Sequence, residues 1–361
     1  MHIPDGYLSP QTCAAAYVVA VPAWAIATNR VTRVVKTRNV PTLAVLAALS
    51  FLVMMFNIPI PDGTTAHAVG AVIIAIALGP WAAVIAVSVA LLFQALLFGD
   101  GGVLAFGANA VNLAILMPFV GYGVYRLIAG RAPLTSRRRI AAAAIGGYVG
   151  INAAALATAV EFGIQPELFH TASGAPLYSP YGLSQAIPAM LLPHLTIAGA
   201  AEAILTGGVL AYLARTDPAR LAATHRDVPA TAGEPAPAGG RRLTPARVSL
   251  GFVAVMVLLT PLGLLAPGGA FGEGAPHELN LGQLGLHAVP AGLAEYNGFW
   301  SHTLLSGYGF HDGQHANLAY ILSAVIGIAV VAAVIFGVGT LVERVARRRR
   351  GTDPVAEPET A

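Results

Sequence analysis

The 361-residue chain has one cysteine, Cys13, and one lysine, Lys36. A lone cysteine excludes an intrachain disulfide and any Cys-based zinc or iron–sulfur site. Cys13 reads instead as a small packed residue. No GxxxxGK[ST] surrounds Lys36. The sequence therefore lacks a Walker A loop with which to use ATP by itself. HExxH is missing as well, since His277-Glu278 is followed by Leu-Asn-Leu. Charge of either sign is scarce. Asp, Glu, Lys and Arg make up 10% of the chain, against about 25% in soluble domains. No positive n-region precedes the first apolar run at Thr12, so no cleavable signal peptide is expected.

What fills the chain is apolar. Hydrophobic residues are 56% of it and the mean hydropathy is +0.69. Nine apolar runs stand out, near 11–28, 41–57, 67–79, 81–98, 110–125, 140–162, 188–213, 249–266 and 317–342. They are continuous rather than alternating, which argues against a barrel and for an all-α polytopic membrane protein. The third run is short for a crossing of about 20 residues. It ends at Gly79-Pro80, a natural turn.

The 20 basic residues fall into four groups: Arg30–Arg38, Arg126–Arg139, Arg215–Arg247 and Arg344–Arg350. With nine alternating spans all four groups lie on one side, which the positive-inside rule makes cytoplasmic. The expected protein is a multi-pass cell-membrane protein with its N-terminus outside and its C-terminus in the cytoplasm. Residues 58–66, 99–109, 163–187 and 268–316 are then outer segments. The stretch 216–246 is polar and rich in Pro, Ala, Gly and Arg, as disordered linkers are. It divides a seven-span module, 1–215, from a two-span hairpin, 247–343, which carries a large outer loop. Residues 344–361 form a cytoplasmic tail.

The chain opens MHIPDGYLSP. A free α-amine, the next backbone amide and the His2 imidazole lie in series. Once the amide deprotonates, these three nitrogens can hold one metal ion through fused rings, an arrangement suited to square-planar Ni(II) or Cu(II). Met1 is expected to be retained, because histidine is too large a second residue for its removal. A fourth nitrogen is offered by His67 in NIPIPDGTTAHAVG, after a segment broken by Pro59, Pro61 and Gly63. Irregular backbone at membrane depth is tolerated where it lines a cavity, and a histidine there is a functional candidate.

Four ordered motifs, MHIPDGYLSP, PDGTTAH, QALLFGDGGVLAFGANAVN and PHLTIAGAAEAILTGGVLAYL, resemble the CbiM/NikM family over most of residues 1–213. These are the substrate-capture membrane components of energy-coupling-factor transporters for cobalt and nickel. The resemblance implies metal ligands at Met1 (amine), His2 (backbone nitrogen and side chain) and His67. It also implies partners: a transmembrane coupling protein and two cytoplasmic ATPases. Ni2+ or Co2+ is cargo, and no resident cofactor is implied. TPLGLLAPGGAFGEG after the eighth run is similar to the small two-span accessory subunit of the same systems, fused here at the C-terminus. A membrane-embedded metalloenzyme and a secondary metal carrier are the alternative readings.

Around this core, Asp5, Gln94, Asn109 and Asn112 are candidates to support the ligands, with interhelical hydrogen bonding as the other reading of the three amides. His194 and Glu202, at i and i+8, read as packing or hydrogen-bonding residues. Five of the ten histidines lie in the outer loop of the hairpin module. Among them His311 and His315 are candidates for a metal-collecting loop. The square plane leans the reading toward nickel, while the family uses nearly the same site for cobalt.

Overall fold

The computed structural model describes residues 1–34, 40–60, 64–225, 245–266 and 269–350. Pro61 and Gly63, the greater part of the expected linker (226–244) and the end of the tail (351–361) lie outside the described residues.

All nine apolar runs are helical: α1 Pro10–Val34, α2 Val40–Met55, α3 Ala71–Leu78, α4 Pro80–Phe98, α5 Phe106–Ala129, α6 Arg137–Gly163, α7 Leu183–Thr216, α8 Pro245–Leu259 and α9 Ala316–Arg350. Local chemistry sets several of the starts. Ser9 Oγ accepts from Thr12 N at 3.1 Å, and Pro10 stands in the first turn of α1, an ordinary N-cap. Ser136 caps α6 in the same way through Arg139 N. Six helices, α1, α4, α5, α6, α7 and α9, are long and apolar enough to cross a membrane, and Val40–Met55 and Leu250–Leu265 are shorter.

The third run differs from its expectation. The helix covers only Ala71–Leu78, with all eight residues buried, and is about 12 Å long, well short of a hydrocarbon core of about 30 Å. His67 to Gly70 precede it as irregular backbone. They follow a small antiparallel ribbon in which β1 Ile58–Pro59 pairs with β2 Thr65–Ala66. The chain then turns at Gly79, and α4 packs back on α3.

The C-terminal helices join the same body. α9 packs along α2 so closely that a Cβ on Gly327 would enter the Phe51 ring. Tyr320 donates its hydroxyl to Met55 O at 3.1 Å. The loop before α9 meets the end of α4, where Trp300 Nε1 donates to Leu96 O at 2.9 Å and Leu304 N to Leu97 O at 2.8 Å. These bonds satisfy carbonyls that a helix end leaves open. Further hydrogen bonds tie residues 1–9 to the loops at 99–105, 164–182 and 269–315. One end of the bundle thus gathers the chain terminus and these loops.

Candidate metal centre

Residues 1–9 form no helix or strand before Pro10, yet Met1, His2, Ile3, Asp5, Tyr7, Leu8 and Ser9 are buried. Buried irregular backbone must find partners for its N–H and C=O groups, and here side chains supply many of them. Asn109 clamps Ile3 from both sides, accepting from its N–H at 2.8 Å and donating to its C=O at 3.1 Å. Gly102 N donates to the same carbonyl. The Asp5 carboxylate accepts from Val103 N and Ala105 N, both at 3.0 Å. Ser9 N donates to Gln165 Oε1, and Tyr7 OH to Gly274 O. Pro4 to Gly6 turn the segment. Gly6 has φ of 89°, and a Cβ there would lie 2.7 Å from Leu293 O, so only glycine fits.

This scaffold brings the amine, the His2 ring and His67 together. Met1 N lies 2.5 Å from Glu273 Oε1, and His2 N donates to the same oxygen at 2.7 Å. The His2 and His67 rings stack, with centroids 5.0 Å apart and planes inclined by 26°. His67 Nδ1 lies 3.0 Å from Ala68 O. A carbonyl only accepts, so that nitrogen carries the proton and Nε2 keeps a lone pair. His2 Nδ1 stands 3.2 Å from Asp100 Oδ1, which sets the same tautomer. Both Nε2 atoms are buried and without a hydrogen-bond partner among the described residues. One ligand atom each from His2, His67 and Glu273 lies within 4.8 Å of the others. Two neutral imidazoles and a carboxylate suit a divalent first-row cation.

The electrostatics agree. Burial, then the adjacent ammonium, holds the His2 imidazole down to about 4, so the ring is neutral at ordinary pH. Burial pushes the Glu273 carboxyl up, but the Met1 ammonium that hydrogen-bonds it outweighs this and keeps it below the usual carboxylate range. Asp100 is raised by burial and by the charge of Glu273. Its other oxygen accepts from Tyr308 OH.

The remaining candidates divide. Asp5 and Asn109 hold the terminal segment. Gln94 is fully buried beside the His2 ring and donates to Tyr308 OH at 3.3 Å. Asn112 points elsewhere: its Nδ2 donates to Glu161 Oε2 at 2.6 Å and Thr158 Oγ1 at 3.2 Å, joining α5 to α6. His311 and His315 are exposed and stand apart from the buried cluster. Gln94, Asn109 and His194 each border or enter a π-turn, at Gln94–Phe98, Ala110–Leu116 and His194–Ala198. Such turns frequently mark functional sites.

Sequence reasoning missed Glu273 and Asp100 as site residues, although both stand in quoted motifs, PGGAFGEG and LLFGDGG. The usable signal was a carboxylate set among glycines, Glu273 in GGAFGEG and Asp100 in FGDGG. It also understated Glu202. This fully buried carboxylate accepts from Val69 N at 2.8 Å and Gly70 N at 2.9 Å with Oε2, and from Thr206 Oγ1 at 3.1 Å with Oε1. It holds the two residues just ahead of α3 and so fixes the segment that carries His67. Glu202→Ala leaves two buried N–H groups unpaired, at about 1–3 kcal/mol each. Reduced melting temperature with weakened metal binding is expected. An unchanged melting curve would remove Glu202 from this role.

The family described as "Cobalt uptake substrate-specific transmembrane region", CbiM, matches residues 2–220. The "Fused nickel transport protein NikMN" of Rhodobacter capsulatus is 48% identical over 345 residues, covering 92% of this chain and 95% of the relative. The "Probable fused nickel transport protein LarMN" of Lactiplantibacillus plantarum is 45% identical over 343 residues, covering 93% and 97%. A crystal structure described as a truncated transition metal transporter superposes with a TM-score of 0.56 at 58% identity, covering 59% of this chain and 98% of its own.

Proposed function

Because this chain belongs to the CbiM family, with a NikN-type module fused behind it, we propose that it is the metal-capture component of an ATP-driven uptake system for nickel or cobalt, and that it holds the ion on an N-terminal chelate of Met1, His2 and His67. The observation that carries the chelate is convergence. The Met1 amine and the His2 amide N–H both aim at one point, now taken by Glu273 Oε1. The unpartnered Nε2 of His67 belongs to the same buried cluster.

In the chelate, the amine and the deprotonated amide close a five-membered ring with the metal. The amide and His2 Nδ1 close a six-membered one. His67 Nε2 takes the fourth corner. Four nitrogens in a plane suit low-spin nickel. Binding releases one proton from the ammonium and one from the amide, so affinity rises with pH. Asp5 and Asn109 hold the segment before metal arrives, which lowers the ordering cost of binding.

The membrane orientation belongs to the same reading, with Met1 outside and the Arg-rich end of α9 in the cytoplasm. A transmembrane coupling protein and two ATPase subunits supply the energy. Within the chain, 1–215 captures the ion and 247–343 is the accessory module.

Purified protein with a native Met1 is expected to bind one Ni2+ per chain with the yellow spectrum of square-planar nickel. Direct competition then ranks Ni2+ against Co2+. Absence of tight binding for both ions would overturn the capture role. A six-coordinate nickel spectrum at equilibrium would overturn the four-nitrogen chelate.

A further inference from the structure

The fused-ring chelate needs Nδ1 of His2, because only that nitrogen closes a six-membered ring with its own backbone amide. The structure engages this atom elsewhere. His2 Nδ1 faces Asp100 Oδ1 at 3.2 Å, and the unpartnered nitrogen is Nε2. His67 shows the same arrangement, with Nδ1 on Ala68 O and Nε2 unpartnered. Two buried lone pairs therefore sit in a cluster whose third member is the Glu273 carboxylate, in which one ring nitrogen of each histidine and one carboxylate oxygen lie within 4.8 Å of one another. A carboxylate–imidazole pair behind a ligand nitrogen is the usual way a metal-binding histidine is oriented. Asp100 does this for His2, and it is fixed in turn by Tyr308 OH.

We propose that His2 Nε2, His67 Nε2 and the Glu273 carboxylate form a loading site, which takes the divalent cation first and then passes it to the chelate. The proposal rests on the capture reading above and adds a distinct ligand set to it. Two imidazoles and one carboxylate leave room for waters. They suit six-coordinate Ni2+ or Co2+, and this site needs no proton loss from the Met1 ammonium or the His2 amide.

Transfer follows from where Glu273 sits. Its Oε1 is the shared acceptor of the amine and amide hydrogens. As the ion moves inward, the metal–carboxylate bond breaks and metal–nitrogen bonds form to the amine and the amide. One proton leaves each of these nitrogens for the outer solvent. The His2 Nε2–metal bond breaks as well: the ring gives up its Nδ1 proton on leaving Asp100, takes one from solvent at Nε2, and turns the freed Nδ1 lone pair to the ion, with no net change in ring charge. Metal oxidation state does not change. The carboxylate comes from the C-terminal module, so that module acts directly in loading.

Stopped-flow mixing of Ni2+ with the full chain, with freeze-quench X-ray absorption on early samples, tests the sequence. Wild-type protein should show a fast phase giving a six-coordinate species with two imidazoles and oxygen ligands, then slow growth of the square-planar spectrum. Glu273→Gln should slow the first phase at least tenfold. Asp100→Ala frees His2 Nδ1 and should shorten the life of the early species. Direct single-phase formation of the square-planar spectrum in wild type would overturn the loading site. An unchanged fast phase in Glu273→Gln would overturn it too, circular dichroism having verified the fold. A final spectrum that is not square-planar counts instead against the chelate, so the two ideas fail separately.

Discussion

Adding a single residue ahead of Met1 is expected to weaken nickel and cobalt binding by about a thousandfold or more, about 4 kcal/mol, with His2 and His67 intact. The extension converts the terminal amine to an amide. That removes the anchor of the five-membered ring, and without it the metal does not displace the His2 amide proton. The site also has no space for the addition. The Met1 ammonium is enclosed, lies 2.5 Å from Glu273 Oε1 and compensates that half-buried charge. Deleting one partner of such a pair leaves an uncompensated charge, which is costly in itself. Calorimetry on extended protein, with mass spectrometry to establish that the extension is uncleaved, provides the measurement. Wild-type affinity in that sample would sink the chelate.

Replacing His67 with Ala should reduce affinity by more than the 10–100-fold typical of losing an outer partner of a ligand. One of four donors is lost, and water must fill its corner. The dependence on pH separates this variant from the extended one. In wild type the logarithm of affinity should climb with a slope approaching two protons per ion, from the Met1 ammonium and the His2 amide. His2 adds no third proton near neutrality, because its imidazole is held down to about 4. His67→Ala should keep this slope at lower affinity, whereas the extended protein should lose it. Equal affinity in wild type and His67→Ala would reject the assignment of His67.

Much of the helical plan was legible because membrane helices announce themselves by length and hydropathy, and all nine runs are helical. The third run was over-read. Hydropathy does not distinguish a helix from buried irregular backbone, and His67 to Gly70 stay irregular because the Glu202 carboxylate and the Ser50 hydroxyl satisfy Val69 and Gly70 from outside the segment. His2 and His67 stood out as rare polar residues beside turn-forming prolines and glycines. Glu273 did not, since its meaning lies in a contact 272 residues away along the chain. Asn112 was grouped with Gln94 and Asn109 because all three lie near the outer ends of the fourth and fifth runs, and an unbroken α-helix would put i and i+3 on one face. The π-turn beginning at Ala110 shifts that register, and Asn112 meets Glu161 instead.

The junction of the two modules in one polypeptide has a kinetic consequence. Glu273 closes over Met1 from the far side of a covalent connection, so their encounter is intramolecular. As a separate subunit, the covering loop would have to find its partner at whatever density the membrane holds. Tethered, it is present at an effective concentration of the order of millimolar, independent of expression level. Each copy of the chain therefore carries its own carboxylate in fixed one-to-one stoichiometry, and dilution in the bilayer does not strip the metal site of it.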